Sequence, residues 1–203
     1  MKVLVACEYS GVVRDAFISQ GHDAMSCDIL PTDSPGPHYQ GDVRDIINDG
    51  WDMLIAHPPC TFLSKASARW LYKTKGVIDE VRHGQGLEAR EFFMEMLEAD
   101  IPYIAVENPT PLRVFDLPQH TQVVQPYEHG HPFSKRTLLW LKGLPELQPT
   151  NVISDYGVYL PSNTGGAKRG QSSTYTKIMT NKDRSKTFEG IAQAMANQWG
   201  GVV

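Results

Sequence analysis

The sequence has few cysteines, and it lacks long apolar runs, internal repeats and low-complexity tracts. Its three cysteines lie far apart in 203 residues, which argues against a disulfide framework and favours a reducing, cytoplasmic environment. No apolar stretch approaches the length of a membrane span, and the apolar N-terminus is too short for a signal peptide. We therefore expect a cytoplasmic protein without a membrane partner.

The chain also lacks the overall positive charge that marks many nucleic-acid-binding proteins. Its formal net charge is -4, but a bulk value hides the local distribution of charge. Between positions 165 and 186 the sequence has a local excess of five positive charges. Positive charge beside an aromatic ring suits contact with a nucleic-acid backbone, although a solvated surface loop is the alternative. The candidate nucleic-acid-binding residues in this segment are Lys168, Arg169, Tyr175, Lys177 and Arg184.

Apolar residues alternate along the chain between strand and helix patterns. This alternation predicts an α/β fold with a mostly parallel central sheet flanked by helices. The segment 29–40 holds three prolines and is predicted to be a loop. The predicted strands are 2–6, 22–27, 52–56, 102–106, 122–125 and 137–141, and the predicted helices are 12–20, 81–99 and 188–199.

Reactive or ligand-type side chains occur at or just beyond the ends of five predicted segments. In open α/β sheets, ligands bind at the carboxyl ends of the strands, so we expect a functional site at this edge. The five residues are Glu8, Asp28, Asp42, Cys60 and Glu107.

The strongest single feature is the segment 57–64, which follows the predicted strand 52–56. Pro58 and Pro59 stiffen the backbone and fix the direction in which Cys60 leaves the sheet. A cysteine in this polar setting can be ionised by nearby positive charge, and the thiolate is the nucleophilic form. A turn with a buried, inert cysteine is the alternative.

Two further segments carry candidate chemistry. Glu107 follows the strand that begins near Pro102, where a carboxylate suits a general acid or a group that holds a base edge. Arg136 lies in a basic turn before the strand 137–141 and could pair with an anion. An exposed turn acid and an ordinary surface arginine are the corresponding alternatives.

Taken together and in this order, these segments resemble the motifs of the cytosine-C5 DNA methyltransferase family. The family opening Phe-Ser-Gly-x-Gly-Gly is similar to residues 9–14, and its Pro-Pro-Cys and Glu-Asn-Val signatures are similar to residues 58–60 and 107–109. The resemblance covers residues 2 to about 147, with a weaker similarity near 187–199. It implies a Rossmann-like class I methyltransferase fold.

The resemblance also implies a set of functional residues. Cys60 would attack cytosine C6 with Glu107 at N3 and Arg136 assisting, and S-adenosylmethionine would donate the methyl group. DNA would be the substrate, and Ser64 would join the basic segment in contacting it. The implied donor-binding residues are Glu8, Tyr9, Ser10, Gly11, Asp28, Ile29, Asp42, Val43 and Pro58.

The resemblance implies three regions: a catalytic core over 1–147, a short basic loop region over 148–186, and a C-terminal helix over 187–203 that packs back on the core. The family inserts a large target-recognition domain where this chain has about forty residues. A short duplex site, a single-stranded substrate or a partner subunit for target recognition fits so small a region. Val13 and Arg14 replace family glycines, and Leu138 replaces the family's second arginine.

Other functions remain as alternatives. An amino-group methyltransferase would place Asp or Asn before the two prolines, whereas position 57 is His. A divergent protein could bind S-adenosylmethionine or nucleic acid without catalysis, or could modify a free nucleotide. The histidines at 129 and 131 lack the spacing and a cysteine partner for a metal site, so we expect none.

Overall fold

A computed structural model describes residues 1–155, 158–159 and 185–202 of the chain. In these residues seven strands form one sheet in the order β3-β2-β1-β4-β5-β8-β6. β8 is antiparallel to β5 and β6, and the other neighbouring pairs are parallel. The sheet strands are β1 (Lys2–Ala6), β2 (Asp23–Asp28), β3 (His38–Gln40), β4 (Met53–Ala56), β5 (Tyr103–Asn108), β6 (Gln122–Val124) and β8 (Thr137–Lys142).

Helices cover both faces of this sheet. One face packs against α1 (Val12–Ser19) and α4 (Glu189–Trp199), and the other packs against α3 (Glu80–Leu97) with the short α2 (Ala68–Leu71) beside it. A small parallel pair joins β7 (Phe133–Ser134) to β9 (Val158–Tyr159). The prediction of an α/β fold with a mostly parallel, Rossmann-like sheet is confirmed.

Side-chain alternation in the central strands builds two cores. In β4, Met53 and Ile55 face α1 and α4, while Leu54 and Ala56 face α3. All four side chains are buried, because a central parallel strand is covered on both faces. The next residue in this alternation, His57, falls on the α1 and α4 side, where α4 reaches the carboxyl end of the sheet.

The structure differs from the predicted elements at two places. Residues 38–40 form the edge strand β3, although the prolines before them predicted a loop through position 40. β5 continues through Glu107 and Asn108, so Glu107 lies within the strand rather than after it. No helix in the described part of the chain is both long and apolar enough to cross a membrane.

Candidate active site

Glu8 and Gly11 shape the turn between β1 and α1. Gly11 has a φ of 75°, a left-handed conformation that glycine adopts readily, and it precedes the first turn of the helix. The buried Glu8 carboxylate accepts hydrogen bonds from the backbone N–H of Val13 at 2.7 Å and from the hydroxyl of Ser10 at 3.1 Å. Glu8 therefore caps α1 and holds the turn that was predicted to bind the donor.

Arg14 fills the space behind this turn. Its guanidinium is completely buried and donates hydrogen bonds to the carbonyls of Ser34 and Pro35 at 3.1 and 3.2 Å and to Ser26 Oγ at 3.1 Å. A Cβ on Gly11 would approach the Arg14 guanidinium to 2.5 Å. Arg14 thus binds the loop after β2 to the start of α1.

The predicted donor residues at β2 and beyond form an acidic rim around an exposed apolar side chain. Asp28 accepts the backbone N–H of Leu30 at 2.9 Å, and Asp42 accepts that of Arg44 at 3.0 Å. Ile29, between these acids in the chain, is 75% exposed. Carboxylates accept hydrogen bonds from ribose hydroxyls or an adenine amine, and an apolar side chain can cover the adenine ring. The chemistry of these residues therefore fits S-adenosylmethionine.

The other predicted donor residues lie at or near the same turns. Pro58 is buried at the end of β4, and Val43 is 3% exposed, so both act mainly as packing residues there. Tyr9 is half-buried, and its hydroxyl lies 3.1 Å from Ser185 Oγ. This contact joins the β1 turn to the segment that precedes α4.

Glu107 and His57 lie within hydrogen-bonding distance of each other where β4 and β5 end. His57 Nδ1 lies 3.3 Å from Glu107 Oε2, and their side chains are 13% and 23% exposed. Burial acts to raise the pKa of Glu107, but the hydrogen bond from His57 and the charge of Lys135 outweigh it and lower that pKa. Glu107 is therefore ionised at neutral pH, and His57 Nδ1 carries the hydrogen of this pair.

Cys60 lies within the electrostatic range of Glu107. Burial raises the pKa of Cys60, the Glu107 carboxylate raises it further, and the Lys135 ammonium opposes both. The sequence predicted that positive charge would ionise this cysteine, but burial and the carboxylate prevail. The thiol is therefore protonated at neutral pH in the free protein.

Lys135, rather than Arg136, is the basic residue of this site. Lys135 lines a cavity of about 20 Å³ together with His57 and Glu107, a volume that holds about one water molecule. The Arg136 side chain is exposed, because the turn before β8 directs neighbouring side chains to different sides. Lys135, and not Arg136, therefore lies beside His57 and Glu107, and the catalytic role of Arg136 stays a prediction. The remaining cavity wall comes from Thr137, residues 185–188, Ile191 and Met195.

Of the residues predicted to contact nucleic acid, only Ser64 lies in the described part of the chain. Ser64 is 3% exposed, because its backbone N–H donates to the Cys60 carbonyl at 3.0 Å and its segment folds inward, so it is not presented to a nucleic acid. Lys168, Arg169, Tyr175, Lys177 and Arg184 lie outside the described residues.

No family model and no curated protein sequence matches the chain. Among solved structures, the Entamoeba histolytica methyltransferase EhMeth is similar over 75% of this chain and 57% of its own, with 14% identity and a TM-score of 0.44. A mutant of Spodoptera frugiperda DNMT2 is similar over 81% and 56%, with 15% identity and a TM-score of 0.36. The chain thus spans little more than half the length of either protein. At these scores, the fold assignment depends on the strand order and directions given above.

Proposed function

We propose that this protein transfers a methyl group from S-adenosylmethionine to C5 of cytosine in DNA. The observation that carries the proposal is that the Cys60 thiol lies within electrostatic range of the Glu107 carboxylate, where β4 and β5 end at one edge of the sheet. A nucleophile beside a carboxylate is what an addition to a pyrimidine ring requires. A protein that only binds the donor or nucleic acid needs no such pair.

Glu107 would act twice in this reaction. The ionised carboxylate first accepts the proton of the Cys60 thiol as the sulfur forms a bond to C6 of cytosine. It then delivers that proton to N3, so that negative charge does not accumulate in the ring and C5 gains the character of an enamine carbon. Lys135 lies close enough to limit the electrostatic cost of charge on either group.

S-adenosylmethionine would supply an electrophilic methyl group to C5, held by the rim of Asp28, Ile29 and Asp42. A water molecule then accepts the C5 proton, and the C6–sulfur bond breaks with its electron pair leaving on sulfur, which restores the aromatic ring. The N3 proton returns through Glu107 to Cys60, which regenerates the thiol. If the cytosine lies in duplex DNA, it has to leave the base stack to reach Cys60.

Incubation with methyl-labelled S-adenosylmethionine and DNA, followed by digestion to nucleosides, tests this proposal. We expect label in 5-methyldeoxycytidine with the wild-type protein and none with Cys60→Ala. Cys27→Ala is the matched control, since Cys27 is a buried core residue and its removal should leave the label in place. Label on the exocyclic amine, or undiminished label with Cys60→Ala, would contradict the mechanism.

Donor binding is tested separately by calorimetry. We expect Cys60→Ala to bind S-adenosylmethionine as the wild type does, and Asp28→Ala to bind about tenfold more weakly through loss of a charged hydrogen-bond acceptor. Donor binding without methyl transfer to any DNA would instead support a non-catalytic binding protein.

A further inference from the structure

The segment that follows Cys60 presents a basic and aromatic surface. Between positions 61 and 78 it contains four Lys or Arg residues and no Asp or Glu, in a chain whose net charge is -4. Lys73 in this segment is paired with the Asp79 carboxylate. We define the Trp70 face as the other exposed residues of the segment that carry charge or an aromatic ring: Lys65, Arg69, Trp70, Tyr72 and Lys75.

Trp70 is exposed in a way that the other tryptophans are not. Trp51, Trp140 and Trp199 are all at least 92% buried, whereas Trp70 is 52% exposed. The Arg69 guanidinium lies 4.8 Å from the Trp70 ring centroid, so the indole already stacks with one planar cation. An exposed indole flanked by cations is the arrangement with which single-strand-binding proteins hold bases and phosphates.

Backbone contacts fix the Trp70 face beside the candidate active site. The N–H of Ser64 donates to the Cys60 carbonyl at 3.0 Å, and the N–H of Lys65 donates to the Thr110 carbonyl at 2.9 Å, just beyond β5. The same segment is anchored below by Leu63 and Leu71, which are buried in the core against α3. The Trp70 face therefore lies between Cys60 and α3 in the sequence. In space its segment begins at the edge of the sheet where Glu107 also lies.

We propose that the Trp70 face binds single-stranded DNA, with one unpaired base stacked on Trp70 and adjacent phosphates on the surrounding cations. This inference rests on the proposed function, since it names the form of DNA that reaches Cys60. In a duplex both faces of each base are stacked on neighbours, so an indole fixed at the protein surface finds a free base face only in an unpaired strand.

Intrinsic fluorescence reports on this contact directly, because Trp70 is the one exposed tryptophan of the four. The experiment titrates a single-stranded oligodeoxynucleotide into Cys60→Ala protein without donor, following tryptophan emission and, with a labelled strand, anisotropy. We expect the strand to quench the emission, and Trp70→Ala to abolish the quenching and weaken binding about tenfold. Trp70→Phe should lose the quenching yet keep most of the affinity.

The cations are tested by a paired charge reversal. Lys65→Glu combined with Arg69→Glu should weaken binding further and reduce its dependence on salt concentration, because fewer counterions are released from the strand. The matched control is Lys142→Glu, an exposed cation at the opposite end of the sheet, which should leave both quantities unchanged. Circular dichroism of each variant verifies that the fold is retained.

Several results would overturn the proposal: unchanged affinity in Trp70→Ala, tighter binding of blunt duplex DNA, or preference for single-stranded RNA of the same sequence. Because binding is measured in Cys60→Ala without donor, it does not depend on methyl transfer. Quenching by DNA without any transfer by the wild type would refute the proposed function alone. Methyl transfer that is indifferent to Trp70→Ala would refute this inference alone.

Discussion

At the scale of single residues, burial and the charge on Glu107 both raise the pKa of Cys60. The carboxylate is held ionised by His57 and Lys135, and its negative charge disfavours the thiolate a short distance away. His57 completes this arrangement with a buried Nε2 that has no hydrogen-bond partner among the described residues. Neutralisation of Glu107 by a proton would therefore remove the negative charge that acts on Cys60.

Removing the carboxylate charge should make Cys60 more acidic. In Glu107→Gln the thiolate no longer meets a neighbouring anion, so the pKa of Cys60 falls and alkylation by iodoacetamide at pH 8 should be about threefold faster. Lys135→Met should slow the alkylation, because it removes the opposing cation. The rate measured against pH should shift to lower pH in the first variant and to higher pH in the second.

The other cysteines provide the reference for this measurement. Burial raises the pKa of Cys7 to about 12 and that of Cys27 to about 11, with nearby acids adding to the effect. Both thiols stay protonated at pH 8, so Cys60→Ala should remove the labelling. Equal rates in wild type and Glu107→Gln would mean that the carboxylate does not act on Cys60.

At the scale of elements, the loop after β2 depends on one side chain of α1. Arg14 donates to several carbonyls of residues 34–37, and its partner Asp15 also accepts the hydroxyl of Ser34 at 2.9 Å. The loop has few apolar anchors of its own, since Ile29 and Leu30 are exposed. The path of this loop is therefore fixed from the α1 side by a buried cation.

Replacing this cation should destabilise the fold. Arg14→Met leaves the carbonyls of Ser34 and Pro35 without donors, and we expect the free energy of unfolding in urea to fall by about 3 kcal/mol. Arg44→Met is the control, since it removes only the contacts of an exposed cation with Glu95, Asp42 and the Phe92 ring and should cost less than about 1 kcal/mol. Similar losses in both variants would show that burial of Arg14 contributes little.

The sequence predicted the elements better than the directions of side chains. Strand and helix periods located β1, β4, β8 and the three longer helices to within a few residues, because each of these elements buries a regular apolar face. The three-residue edge strand β3 has no such face. Arg136 and Lys135 could not be distinguished, because a turn fixes which of two adjacent side chains points inward.

One residue of the site, His57, could have been found from the sequence if the pairing of β4 and β5 had been known. The alternation of Met53 and Ile55 on one face of β4 continues to His57, and the same alternation in β5 carries Ala105 to Glu107. Because β4 and β5 pair in parallel with Ile55 opposite Ala105, the pattern places His57 next to Glu107. That signal required the pairing of the strands, which the sequence did not supply.

At the scale of the whole molecule, α4 completes the core that α1 and the sheet begin. Ile191, Met195 and Trp199 pack in that core, and the Trp199 indole N–H donates to the Pro145 carbonyl at 2.9 Å. α1 and α4 pack against each other on the same face of the sheet. The helix nearest the C-terminus is therefore held against the helix nearest the N-terminus.

Two tryptophan variants separate this structural role from surface function. Trp199→Ala removes a fully buried ring and should lower the free energy of unfolding by about 4 kcal/mol. Trp70→Ala, at the surface, should change it by no more than about 0.5 kcal/mol. Thermal and urea denaturation of both proteins measure the difference, and a large loss in Trp70→Ala would mean that the ring is a packing residue.

The cavity next to Glu107 is walled on one side by β4 and β5 and on the other by α4 and the residues before it. A molecule bound in this cavity contacts both walls, and its contacts with the second wall exist only while α4 is packed against the sheet. Binding of a compound in the cavity and docking of α4 therefore stabilise each other. A bound compound should raise the melting temperature, and a change that weakens the docking of α4 should reduce the binding free energy of the compound by the same amount.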